Sequence, residues 1–457
     1  MEIVDENRGR KVSEKLEITS VISEFVHKTD IGSLPARAMD TAKLTFLDTI
    51  AVSVGASGFE IGRILGRFRK TLQESQEITV LGQPEGASVL TAAWVNGTFA
   101  NQLDFDEGYH LGTHTIPAAL AVGEEIGAKG LSVLEAYVIG REVGAKLTDV
   151  IDAQRSKGIG PTHRGWWHVG IVGPIAAAMT AGKLLKLNVD ELNRAVGIAS
   201  CRSGGFRQNM GTMAKALHSG SAAREGILAA MLAREGVTAE ESILETPLGL
   251  VRALCNEGEE DWTPITSRLG KPYDLDETAK IKTYPTCTPI HPELDAMLRI
   301  REMVQSEGLR DGTEIDSIHA NLHLFSMLRT QARDECEAGF CSPYLLAAAY
   351  LDGYVNLDTL AEEKLRDPRI RNLMERVHNR EDVPSVSVVF RDGRVLEEPV
   401  TSLRRLISQE DVSEKARQCM GNVLESSAID EIIERAMNFE SEGDVHGFLS
   451  LATRLIQ

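Results

Sequence analysis

Apolar residues recur every three to four positions over the first half of the chain and beyond, a spacing that predicts helix after helix. Leu34-Pro35 opens a segment predicted to run to about Val54. Ala38, Ala42, Phe46, Leu47, Ile50 and Val54 form its apolar face, and Gly55 and Gly58 close it. Ser132 with Glu135, and Thr238 with Glu241, read as capping boxes at two further helix starts. Asp190 lies near the start of another helix, and residues 219–235 (SGSAAREGILAAMLARE) read as a helix with a small-residue face. Near Lys271-Pro272 the pattern changes. Residues 315–322 alternate like a half-buried strand, and residues 386–395 read as a hairpin turning at Asp392-Gly393. Ser342-Pro343 opens a helix between them, and helical spacing returns after Val400. The expected fold is mainly α. A large all-helical domain spans residues 1–271, an inserted smaller α+β lid domain spans 272–401, and residues 402–457 return to the helical domain.

Composition narrows the chemistry. Lys and Arg total 49 against 67 Asp and Glu, giving a net charge of −18 over 457 residues. No Lys/Arg-dense run interrupts this, which argues against nucleic acid as a partner. An anionic substrate would need a local basic pocket, so clustered Lys, His and Arg are the residues to follow. The six cysteines include no CxxC pair, which excludes zinc-ribbon and thioredoxin-like sites and leaves an iron–sulfur cluster unsupported. The first seventeen residues are polar and unlike a secretory signal, and the most apolar stretch, Ile171 to Ala181, is short and carries Pro174. A cytoplasmic protein without membrane association is expected.

Common motifs fail. Gly182-Lys183 lacks the first Gly and the Ser/Thr of a phosphate loop, Gly158-Ile159-Gly160 lacks the third Gly of a dinucleotide fingerprint, and there is no GxSxG or HExxH. Four clusters remain. Residues 103–114 (LDFDEGYHLGTH) hold three acids with His110 and His114; they suit acid/base work, a metal, or simply a solvated acidic loop. Gly112 argues against one helix presenting both histidines. Trp166-Trp167-His168 precedes an apolar helix, where His168 is either held neutral by the helix dipole or packed among aromatics. Lys215 and His218, with Arg202 and Arg207 upstream, lie ahead of the helix expected from Ser219 and form either an anion pocket or a solvated loop. Lys282 and Tyr284 sit at the domain transition, where a lone Lys is ordinarily a surface residue.

Together these segments resemble the MmgE/PrpD family. They are LDFDEGYHLGTHTIPAALAVGEEIG, GWWHVGIVGPIAAAMTAGKLL, MAKALHSGSAAREGILAAMLA, KTYPTCTPIHPELDA and SPYLLAAAYLDGYV, with LTFLDTIAVSVGAS near the start. The family includes 2-methylcitrate dehydratases, cis-aconitate decarboxylases and iminodisuccinate epimerases. The resemblance implies a large helical domain with an α+β lid, a homodimer, no metal and no organic cofactor. It implies catalytic roles for Asp104, His114, His168, Lys215 and Lys282, with His110, Arg202, Arg207, His218 and Tyr284 around the substrate. The decarboxylase-like members carry Thr at Gly108 and Pro at Thr115 and Val169, so this chain departs from them there.

The implied chemistry is a carbanion beside a carboxylate of a small di- or tricarboxylic acid. Cations stabilise the enediolate while a base takes the proton. Asp104 is expected to pair with His114, and one of the clustered lysines to be neutral enough to act as base. A 2-methylcitrate dehydratase-like hydro-lyase is the leading expectation. A cis-aconitate decarboxylase-like carboxy-lyase and an iminodisuccinate epimerase-like isomerase are the alternatives, with a non-catalytic carboxylate-binding protein as the alternative of another class.

Overall fold

The computed structural model describes residues 17–277, 280–305, 311–323, 327–381, 384–401 and 408–456. Most of the polar N-terminal stretch, and residues 402–407 at the expected start of the C-terminal return, lie outside the described residues. The fold is mainly α with one small sheet, as expected. No single helix among the described residues is long and apolar enough to cross a membrane.

Nine helices matter to the site. They are α1 (Ala36–Ser57), α2 (Val89–Gln102), α3 (Gly112–Glu125), α4 (Gly130–Ile151), α5 (His168–Leu184), α6 (Met213–Arg234), α7 (His291–Gln305), α8 (Ser342–Asp352) and α9 (Gln409–Met420). Helix α6 lies between α2 and α5, and small residues permit the close approach. A Cβ on Gly220 would meet the Trp94 carbonyl oxygen at 2.2 Å, and one on Gly226 would meet the Ala177 Cβ at 2.4 Å.

Two large apolar cores form. The first runs from Ile18 to Ile281 and resumes from Val412 to Ala452. The second gathers residues between Tyr284 and Phe390, including α7 and α8. Leu275 and Ile281 belong to the first core and Tyr284 to the second, so the change of core follows Ile281. The sheet has the order β2-β1-β3-β4, built from β1 (Ile315–Ala320), β2 (Val377–Asn379), β3 (Ser385–Phe390) and β4 (Val395–Pro399). Strands β3 and β4 form the expected antiparallel hairpin, with Val389 opposite Val395 and Gly393 at φ 87°. Trp167, Val169 and Met210 from the helical part pack with Cys287 and Phe340 in a third, small cluster between the two cores.

Several helix starts differ from expectation. Helix α6 begins at Met213 rather than Ser219, so Lys215 and His218 lie in its first turns. Ser132 is inside α4, which starts at Gly130 because that residue's N–H bonds the Glu442 carbonyl and a Cβ there would strike Phe439. After Thr238 the chain makes successive turns instead of a helix. The capping box near Asp190 is formed by Asn188 and Glu191.

Candidate active site

Residues 103–111 join α2 to α3 and carry Asp104 at φ 48° and His110 at φ 60°. Non-glycine residues reach this left-handed region at a cost, so the surrounding structure must hold them there. A buried ion network does so. The Glu107 carboxylate accepts the Leu111 and Gly112 amides at the start of α3, at 2.5 and 3.1 Å. Arg141, fully buried on α4, donates to Glu107 at 2.7 Å and to Asp274 at 2.8 Å. Glu107 also bridges Ile281, and the Gly108 amide donates to the Lys280 carbonyl. The extended stretch Lys280-Ile281-Lys282 therefore lies against the loop. Alternation sends Ile281 into the core and both lysines to the other side.

Asp104 is the centre of charge. Its Oδ1 takes the Lys215 ammonium at 2.5 Å and its Oδ2 the Lys282 ammonium at 3.1 Å. Lys282 also donates to the Asp104 carbonyl at 2.7 Å, and Lys215 to the Asn101 carbonyl at 3.1 Å. Burial would raise the Asp104 carboxyl, but the two ammoniums outweigh it and hold it far below its ordinary value. Burial presses Lys282 down, and the carboxylates of Asp104 and Asp106 more than reverse this, raising it above 10.5. Lys282 is thus held as a cation, so it is not the neutral lysine base that the clustered lysines were expected to supply.

These groups open onto a cavity of about 460 Å³ between the two cores. Of the residues picked out in the sequence, Asp104, His110, His168, Arg207, Lys215 and Lys282 line it. His114, Arg202, His218 and Tyr284 do not. His114 is fully buried in the first turn of α3 beside Gly173, and neither ring nitrogen has a hydrogen-bond partner among the described residues. Burial takes its pKa down to about 3. Arg202 is solvent-exposed beside Glu225 at 3.5 Å. His218 packs edge-on behind Trp167, and Tyr284 donates to Asp295 at 2.6 Å.

The expected Asp104–His114 pair does not form, because both Asp104 oxygens face lysines. Its nearest histidine is His110, whose Nε2 lies 3.6 Å away. The His110 Nδ1 sits 2.7 Å from the Asp106 carboxylate, so Asp106 is the acid that orients an imidazole here. His168, the first residue of α5, donates from Nε2 to the Tyr109 carbonyl at 3.1 Å, which leaves Nδ1 as its lone-pair nitrogen. Burial, then the neighbouring His110, pushes its pKa to about 4 and keeps it neutral.

Two segments of the chain match known domains: residues 20–263 the MmgE/PrpD N-terminal domain, and residues 284–439 the MmgE/PrpD C-terminal domain. The chain belongs to the MmgE/PrpD family. It is similar to the cis-aconitate decarboxylase of Homo sapiens, 26% identical over 453 residues, covering 93% of this chain and 92% of that protein. The Mus musculus cis-aconitate decarboxylase is 25% identical, covering 96% of this chain and 93% of that protein. That of Aspergillus terreus is 23% identical, covering 95% of each.

The cavity of this MmgE/PrpD protein holds groups that sequence reasoning missed. Arg155, Lys280 and His323 also line it, with Thr162, Cys287 and Phe340. Lys280 was detectable as the same-face neighbour of Lys282 in an extended segment. Arg155 opens a short exposed 3-10 turn, Arg155–Lys157, and His323 lies beyond β1, where no local pattern marks them. Burial, then Arg155, lowers Arg207 to about 10, and burial followed by Arg207 lowers His323. Among the described residues the lining thus offers five Lys or Arg cations against one carboxylate, in a chain of net charge −18.

Proposed function

We propose that this protein is a cofactor-independent lyase that forms a carbanion beside a carboxylate of a small di- or tricarboxylic acid. The observation that carries the reading is the cavity's charge: five cations and one carboxylate, with a neutral histidine on its wall. A polycarboxylate entering it would compete with Asp104 for the Lys215 and Lys282 ammoniums. Those ammoniums would then stabilise the enediolate as its charge develops. His168, neutral with a free Nδ1, suits the base, and His110, oriented by Asp106, suits the acid.

Within that class a hydro-lyase comes first, because dehydration requires a base and neutral His168 supplies one. The proton leaves carbon, the β-hydroxyl leaves with a proton from the acid, and an alkene and water result. A carboxy-lyase is the second reading, favoured by the full-length similarity to proteins named cis-aconitate decarboxylase. There the departing CO₂ leaves the electron pair on carbon, and the acid protonates it. NMR time courses with citrate, 2-methylcitrate, cis-aconitate and iminodisuccinate test the proposal. Conversion of a hydroxy acid to its alkene supports the first reading, and CO₂ loss from cis-aconitate the second. Inertness towards all four counts against both.

A further inference from the structure

Lys415 lies on α9, more than a hundred residues along the chain from Lys282, yet its ammonium reaches the backbone of the site. It donates to the Phe105 carbonyl at 2.5 Å and to the Lys282 carbonyl at 3.1 Å. Phe105 follows Asp104 directly, so one cation ties together the two segments whose side chains form the Asp104–Lys282 pair. The ammonium also sits 3.9 Å from the centre of the Phe105 ring. Asp48 on α1 fixes it from the far side at 2.6 Å, and both side chains are buried. Lys415, Asp48 and Phe105 do not line the cavity.

A buried ion pair is costly to assemble, and an apolar pair of similar volume would fill the same space. The two carbonyls give this one a geometric task. A carbonyl on each of two separate segments accepts from one ammonium, which fixes their spacing and, through it, the 3.1 Å Lys282–Asp104 contact. We propose that Lys415, anchored by Asp48, is a positioning residue that sets the distance between Asp104 and Lys282. It touches neither the cavity nor any substrate in it. Burial raises the Asp48 carboxyl to about 6 against the pull of Lys415, so this carboxyl is mostly ionised at pH 7.

The test uses the full chain with Asp48→Asn and Lys415→Met combined, which removes both charges together and leaves neither buried alone. Trace acetylation with acetic anhydride across a pH series, mapped by mass spectrometry with exposed Lys28 as internal reference, gives the pKa of Lys282. Its readout is independent of any substrate. With the spacing lost, Lys282 loses its close carboxylate while remaining buried. Its pKa should then fall by about one unit, a tenfold rise in the neutral amine at a given pH. A general loosening of the fold would also raise the labelling rate of Lys146, buried beside Glu142 away from this pair, so an unchanged Lys146 rate identifies the effect as local. On the best substrate, kcat should fall roughly tenfold to a hundredfold with KM within about threefold, and Lys415→Arg should restore part of it. An unchanged Lys282 pKa overturns the proposal whether or not the lyase reading holds. A shifted pKa with no activity on any acid would leave the positioning role standing and remove the lyase reading. If the double variant does not fold, the same Lys282 titration on Lys415→Met decides, with an unchanged value again overturning the proposal.

Discussion

His168 meets two constraints in one ring. Helix α5 starts at it, and the partial positive charge of a helix N-terminus disfavours imidazolium; burial does the same and takes its pKa to about 4. If it is the base, His168→Asn should lower kcat/KM by about 10²- to 10⁴-fold with little change in KM, measured by steady-state kinetics. His114 provides a separate test, on stability. Below about 6.5 the unfolded chain binds a proton at this position that the folded chain refuses until about pH 3. Its contribution therefore makes the fold less stable as pH falls through that window. His114→Asn should remove about 2 kcal/mol of the stability difference between pH 7 and pH 5, read from urea unfolding at the two pH values. Asp104, Asp106 and His110 could bring three ligand atoms within 4.8 Å of one another, but two ammoniums already occupy Asp104. EDTA is accordingly expected to leave activity intact, and loss restored by a divalent ion would refute that. His168, Lys215 and Lys282 were legible through the family resemblance, since residue type and neighbours alone left each with an ordinary structural alternative. The partner of Asp104 was not, because a pairing across α6 and the 280–282 segment depends on tertiary spacing that no local pattern encodes.

At the scale of elements, the small-residue face of α6 does what its composition suggested. Gly220 lets α6 approach α2 so closely that any side chain would strike the Trp94 carbonyl. Gly220→Ala should destabilise by about 1–3 kcal/mol, more than offsetting the roughly 1 kcal/mol that Ala gains in helix propensity. Differential scanning calorimetry reads this directly. Periodicity located α1, α8 and the β3–β4 hairpin well, since each pairs a clear apolar pattern with Pro, Gly or Asp-Gly at its ends. It misjudged the start of α6. Thr212 provides the N-cap without a side-chain hydrogen bond, and Met213 to His218 carry no distinctive spacing. The missed start changes the chemistry: Lys215 is not an unpaired cation ahead of a helix but a buried residue within it, already paired with Asp104.

At the scale of the molecule, a chain of net charge −18 folds so that five of its Lys and Arg residues line one cavity between two cores. A mainly helical chain with one small mixed part was legible from the apolar spacing, but the change of core follows Ile281, past the change of pattern near Lys271-Pro272. The convergence itself was readable only in outline, through four separated clusters. Arg155 and His323 complete it from a turn and a loop with no pattern of their own. The central claim is that this cavity creates a carbanion beside a carboxylate. The most direct measurement is proton NMR in D₂O of the four candidate acids with the wild-type protein and with His168→Asn. One of the four acids should lose the proton or the CO₂ beside a carboxylate with the wild-type protein, seen as its alkene, as a decarboxylated product or as solvent deuterium at that carbon, and far more slowly with the variant. Neither turnover nor deuterium uptake with any of the four acids, or the same rates with both proteins, would contradict the carbanion reading.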